Sequence, residues 1–107
     1  MANTFKLKTK ANVGVTTVGI YTAPAATTTV VIGITMANTS GSGVNVGVGI
    51  TRAGTTEDIK LLKNAPLPQG SSLEFMAGNK VVLEATDTIT VDSDANNSVD
   101  TALTLWR

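Results

Sequence analysis

Residues 27–52 read TTTVVIGITMANTSGSGVNVGVGITR, two apolar-alternating runs separated by a polar, glycine-containing break. A period of two places Val30, Ile32, Ile34 and Met36 on one face of the first run, and Val44, Val46, Val48 and Ile50 on one face of the second. This pattern predicts a central β-hairpin. Its connection, Asn38-Thr39-Ser40-Gly41-Ser42-Gly43, is too long for a two-residue turn but is rich in residues that tolerate turn dihedrals.

The rest of the chain extends the same theme. Thr4 to Lys10 alternate, with Phe5 and Leu7 on one side and Lys6, Lys8 and Lys10 on the other. Outward lysines on an edge strand oppose edge-to-edge pairing; the same residues also suit a basic arm lying on a partner or on packaged nucleic acid. Residues 12–22 form a second strand whose apolar phase slips at Thr16-Thr17, the signature of a bulge, and Pro24 then ends it. A polar loop follows at 53–58. Ile59 to Leu62 then suit a short strand or, with their neighbours, one helical turn, and Pro66 and Pro68 favour an extended segment passing between sheets. Short strands at 73–75, 80–84, 88–91 and 99–106, separated by turn residues such as Ala77-Gly78-Asn79, complete the chain.

About eight short strands with no convincing helix give one antiparallel β-sandwich over residues 1–107, of the Ig-like or jelly-roll-like kind. The expected core is Val30, Ile32, Ile34, Met36, Val44, Val46, Val48, Ile50, Leu73, Phe75, Ile89, Val91, Val99, Leu103 and Leu105.

Composition narrows the chemistry. The 107 residues contain no cysteine and no histidine, which removes disulfides, thiolate nucleophiles, Ser-His-Asp and Cys-His arrangements and nearly every zinc site. Eight basic and eight acidic side chains cancel, so neither nucleic acid nor an anionic membrane is an expected partner. No apolar leader opens the sequence and no run approaches the ~20 residues that span a bilayer, so a cytoplasmic site of synthesis is expected. Only 15% of residues are charged, a composition suited to contact with other proteins.

Four local features bear on function. Gly43, Asn45, Gly47 and Gly49 form an almost side-chain-free face opposite the valines of the second run, which implies close approach by another backbone, the chain's own or a neighbouring subunit's. Asp92, Asp94 and Asn96 match the opening of a calcium loop. Asn97 and Leu103 then stand where glycine and the bidentate glutamate belong, and a plain turn accounts for the stretch. Glu84, Asp87, Asp92 and Asp94 offer carboxylates but no pocket-forming aromatics, so neither an enzymatic role nor a cofactor is expected. Trp106 and Arg107 either fold back over the sandwich edge or anchor a partner.

The stretch Val18-Gly19-Ile20-Tyr21-Thr22-Ala23-Pro24 through Val30-Val31-Ile32-Gly33 resembles small virion structural proteins of tailed bacteriophages, of the marine and cyanophage type. Ala37-Asn38, Pro68-Gln69-Gly70-Ser71-Ser72-Leu73 and Leu83-Glu84-Ala85-Thr86-Asp87-Thr88-Ile89-Thr90-Val91 carry the resemblance through most of the chain. It implies a small all-β module in a virion, assembled in a bacterial cytoplasm, that binds the major capsid protein or other virion proteins. A capsid decoration or cement protein, trimeric at local threefold positions, is the leading expectation. A tail, neck or fibre component is the second, and a carbohydrate- or surface-binding module the third. The residues expected to make contacts are Phe5, Lys6, Leu7, Lys8, Lys10, Gly47, Gly49, Trp106 and Arg107.

Overall fold

The computed structural model describes residues 5–52, 58–75 and 81–107, so most of the 53–58 loop and the 77–79 turn lie outside it, as does the side chain of Phe75. Alternating β-branched runs broken by Gly, Pro, Asn and Ser fold into strands: β1 (Phe5–Val13), β2 (Val18–Thr22), β3 (Thr29–Asn38), β4 (Val44–Thr51) and β5 (Asp58–Leu67). The remainder are β6 (Ser72–Phe75), β7 (Val81–Leu83), β8 (Thr88–Ser93) and β9 (Val99–Trp106). No helix occurs among the described residues, so none there is long and apolar enough to cross a membrane.

All strand pairs are antiparallel. One sheet has the order β1-β9-β3-β6, with β7 pairing the other half of β3; the second has the order β2-β8-β4-β5. The pairs are nested: β1 with β9, β2 with β8, β3 with β6 and β7, β4 with β5. Strands β1 to β4 alternate between the sheets, and the result is a jelly roll in which the strand opposite β3 is split in two.

The expected hairpin of β3 with β4 is therefore wrong in its pairing. The two strands lie in different sheets and face one another across the core. Alternation specifies which side of a strand is apolar, but not whether the facing apolar side belongs to a neighbour or to the opposite layer. Buried Asn38 holds the crossing. Its Nδ2 donates to the carbonyls of Ser42 and Leu67 at 2.9 Å each, and its Oδ1 accepts from Ser40 N at 2.9 Å and Ser40 Oγ at 2.7 Å. The local hairpin is instead β4 with β5.

Three further expectations are corrected. The β3–β9 register shifts between Val31 and Gly33, so the inward residues are Val31, Ile34 and Met36, while Val30 and Ile32 are only partly buried. At 12–22 there is a break where a bulge was expected: β1 ends at Val13, and residues 14–17 cross to the second sheet before β2 begins. The short strand expected at 59–62 runs on as edge strand β5 through Pro66 to Leu67, where proline is tolerated, and the passage between sheets expected at the two prolines follows at the Pro68–Ser71 turn.

The other predicted inward residues are placed as expected: Val44, Val46, Val48, Ile50, Ile89, Val91, Val99, Leu103 and Leu105 are buried, with Leu73 packed at the margin. Val13, Tyr21, Ala23, Leu67 and Leu83 join them.

Candidate interaction surface

Along β9, Val99, Thr101, Leu103 and Leu105 point into the core, which turns Asp100, Ala102, Thr104 and Trp106 to the outside. Residues paired directly across strands share a face. Phe5 is opposite Trp106, Trp106 is opposite Val30, and Val30 is opposite Val82. The outer face of this sheet therefore carries a transverse apolar row, with Leu7 one step along beside Thr104. Phe5 is 72% exposed, Leu7 66%, Val82 56% and Trp106 39%, and the rings of Phe5 and Trp106 stack with centroids 6.2 Å apart. Such large side chains exposed together are unusual on a face with nothing to cover it.

The opposite end of the same face is built from small residues. Ala11, Ala37 and Ala102, with Thr9, Lys10, Thr35, Asp100 and Thr101, line a shallow hollow of about 370 Å³. Between knob and hollow lies Gly33, opposite Thr104, where an added Cβ would meet nothing within 4 Å.

Of the residues expected to make contacts, Phe5, Leu7 and Trp106 are thus brought together. Lys6 and Lys8 pair with the inward residues Leu105 and Leu103, and Lys10 with Thr101, so the lysines occupy the side of β1 that elsewhere faces the core. They remain exposed because this edge strand overhangs the rim of the sandwich. The expected orientation is reversed, the apolar side facing out and the charged side in; inward-pointing charge is another way to block edge pairing. Trp106 is held within the sheet. Arg107 beyond it donates from Nη1 to the hydroxyl of Tyr21 at 3.3 Å, and that hydroxyl shares a hydrogen bond with Thr29 Oγ1 at 3.1 Å.

Gly47 and Gly49 lie in the other sheet and are buried. The close approach to Gly47 comes from the chain itself: a Cβ there would sit 2.6 Å from Asp92 Oδ1 and 3.2 Å from the Leu62 carbonyl oxygen. Asp92 can swing aside, but the Leu62 carbonyl belongs to the β5 backbone. Gly47→Val should therefore lower stability by about 1–3 kcal/mol by overpacking, measured by denaturant unfolding, and Gly47→Ala by less.

The acidic stretch at 92–96 is occupied by the fold. Asp92 accepts from Thr17 Oγ1 at 3.0 Å and lies 3.9 Å from Lys60 Nζ, while Asp94 accepts from Asn45 N at 3.0 Å. Ser93 Oγ and Ser98 Oγ, 2.6 Å apart, close the turn, with Asn97 at a φ of 52°. Among the described residues no group of three or more His, Cys, Asp or Glu could hold a metal ion.

Glu84 and Asp87 instead form a clasp at the β7–β8 turn. Buried Asp87 accepts from Glu84 N at 3.0 Å, and its carboxylate lies 3.1 Å from Arg52 Nε; Arg52 Nη2 is also 2.9 Å from Glu84 Oε1. Backbone bonds from Ala23 N to Asp87 O (2.9 Å) and from Thr86 N to Ala23 O (2.8 Å) tie this turn to the loop after β2.

Sequence reasoning missed Val82 and the alanine hollow. The signal for the hollow was present in β9, whose alternate residues Ala102, Thr104 and Trp106 grade from small to large.

No protein-family model and no curated protein matches the sequence. Solved structures do. One is a chain of the Bacillus endospore appendages, described as a novel family of disulfide-linked pili (TM-score 0.57, 17% identity, covering 98% of this chain and 85% of that one). Another is from the T13 particle of infectious bursal disease virus (TM-score 0.62, 16% identity, 97% of this chain and 30% of that one). A third is from the Gx strain of the same virus (TM-score 0.59, 14% identity, 97% and 32%). This chain spans about a third of the length of the two viral chains. At these identities the likeness is one of fold. The disulfide linkage of the pili cannot be carried over, because this chain has no cysteine.

Proposed function

We propose that this chain is a non-enzymatic structural protein of a virus particle, and specifically a decoration or cement protein on the capsid of a tailed bacteriophage. The observation that carries the reading is the outer face of the β1-β9-β3 sheet. It displays Phe5, Leu7, Val82 and Trp106 to solvent on a jelly roll whose Glu84, Asp87, Asp92 and Asp94 carboxylates are committed to turns and ion pairs. The fold shared with subunits of viral particles, and the resemblance to small phage virion proteins, both favour it. Many weak copies of one contact, repeated over a lattice, bind far more tightly together than singly. A tail, neck or fibre component would use the same face on a partner of lower copy number. A carbohydrate-binding module is less favoured, since the exposed aromatic rings Phe5 and Trp106 stack on each other instead of lining a groove.

Quantitative mass spectrometry of purified particles tests the proposal. A ratio to the major capsid protein near one, or a simple fraction such as one third, is the expected result. A ratio in the low hundredths would transfer the protein to the tail, and absence from particles would end both readings.

A further inference from the structure

We infer that the outer face of the β1-β9-β3-β6 sheet is the docking site for a second copy of this chain, packed face to face about a twofold axis. The two ends of the face are complementary to each other. The knob of Phe5, Trp106 and Leu7 lies about 14 Å along the strands from the hollow at Ala102, from the four residues separating Trp106 and Ala102. A twofold axis lying between the two sheets, parallel to them and perpendicular to the strands, passes over the Thr104–Gly33 pair, sets each knob over the partner's hollow and closes the assembly at two copies. Gly33 lies beneath the axis, with open space above it, so the two layers can approach there without collision.

Area and charge agree with this occupant. Four strand widths by about eight residues gives roughly 500 Å² per copy, or about 1,000 Å² for the pair, the lower bound for a specific interface. Two charges stand on the described part of the face. Asp100 is already engaged, accepting from Asn12 N at 3.0 Å, and Glu74 sits at the β6 margin. Lys10 adds a third at the hollow, which Asp100 also lines, while Lys6 and Lys8 project to the other side and would keep their water. The face cannot hold a second copy and a capsid protein at once, so a dimer would move the virion contact to another surface, while the particle stoichiometry tests the virion reading by itself.

The test uses the purified full chain. Analytical ultracentrifugation at tens of micromolar should give a dimer, and Ala102→Arg, which drives a charged side chain into the hollow, should raise the dissociation constant at least about a hundredfold while circular dichroism is unchanged. Because the chain lacks cysteine, Thr104→Cys places a single thiol beside the proposed axis. Sheets packed face to face sit about 10 Å apart, too far for a disulfide but within reach of a short bis-maleimide. Thr104→Cys should crosslink to a dimer, and Asn45→Cys, exposed on the other sheet, should not. A wild-type chain that stays monomeric, a dimer indifferent to Ala102→Arg, or crosslinking equal at the two thiols would overturn the inference. So would a monomer whose Phe5–Leu7 strand is protected only on particles, since the occupant would then be another virion protein.

Discussion

Replacing Ile34 by alanine should lower the unfolding free energy by about 2–5 kcal/mol, whereas the same change at Ile32 should cost only about 1–1.5 kcal/mol. The residues are identical in type, share one strand and lose the same strand propensity, so the difference isolates burial. Ile34 is 1% exposed and sits among fully enclosed side chains, where truncation leaves a cavity. Ile32 occupies the bulge between Val31 and Gly33, partly exposed, and its truncation leaves a dent that water can fill. Guanidinium unfolding with unchanged denaturant slopes would measure both. Equal losses would mean that strict alternation holds through β3 and that the bulge is absent.

Breaking the β7–β8 clasp has the second large effect. Asp87→Ala should cost about 2–3 kcal/mol, because it leaves Glu84 N without its acceptor in a part-buried turn and strips Arg52 of its enclosed partner. The figure is held below that of a fully buried pair, since the Arg52 side chain is 45% exposed and can regain water. Glu84→Ala, removing a carboxylate whose side chain is 71% exposed, should cost under about 1 kcal/mol. Arg52→Ala leaves the Asp87 carboxylate buried with less compensation. The Arg52→Ala/Asp87→Ala double variant should consequently lose less than the two single losses combined. Strict additivity would show that Asp87 acts only as a cap on the turn.

The clasp also explains part of the resemblance on which the phage reading rests. In Leu83-Glu84-Ala85-Thr86-Asp87-Thr88-Ile89-Thr90-Val91, the core takes Leu83, Ile89 and Val91, the ion pairs take Glu84 and Asp87, and Thr86 adopts a φ of 66°. These are structural roles, which is why such a motif identifies a fold more readily than an activity.

The division between what was legible in the sequence and what was not follows the same physics. Within β4, β8 and β9 the period of two assigned the core side correctly, because β4 and β8 pair without a register shift and β9 does so against β1 from Phe5 to Lys10. At Ile32 it failed, since isoleucine is at home on either side of a bulge and nothing local marks the extra residue. For β1 the two sides were separable but their orientation was not: an overhanging edge strand is wet on both sides, and hydrophobicity no longer selects the inward one. Sheet membership was hidden for a different reason. Residues such as Val46 and Met36 report a need for apolar neighbours, and a partner beside the strand and a partner across the sandwich satisfy it alike. At Gly47 the glycine announced a close approach without naming its source, which required the position of Asp92, 45 residues further along the chain. The contact surface was half visible: Phe5, Leu7 and Trp106 could be named, but their assembly into one patch with Val82 depends on pairings across nearly the whole chain.

Nested pairing also governs when the molecule can fold. β9 fills the slot between β1 and β3, yet its residues leave the ribosome after those of both neighbours. Until it arrives, β1 has no partner, β3 is open along one side, and the β4–β5 hairpin is the one pairing between consecutive strands that can close. A chain whose decisive contacts are so remote in sequence gains little from its early segments. It should fold slowly and only once β9 has been made, from a state in which Phe5, Leu7 and the inward valines are all unprotected together.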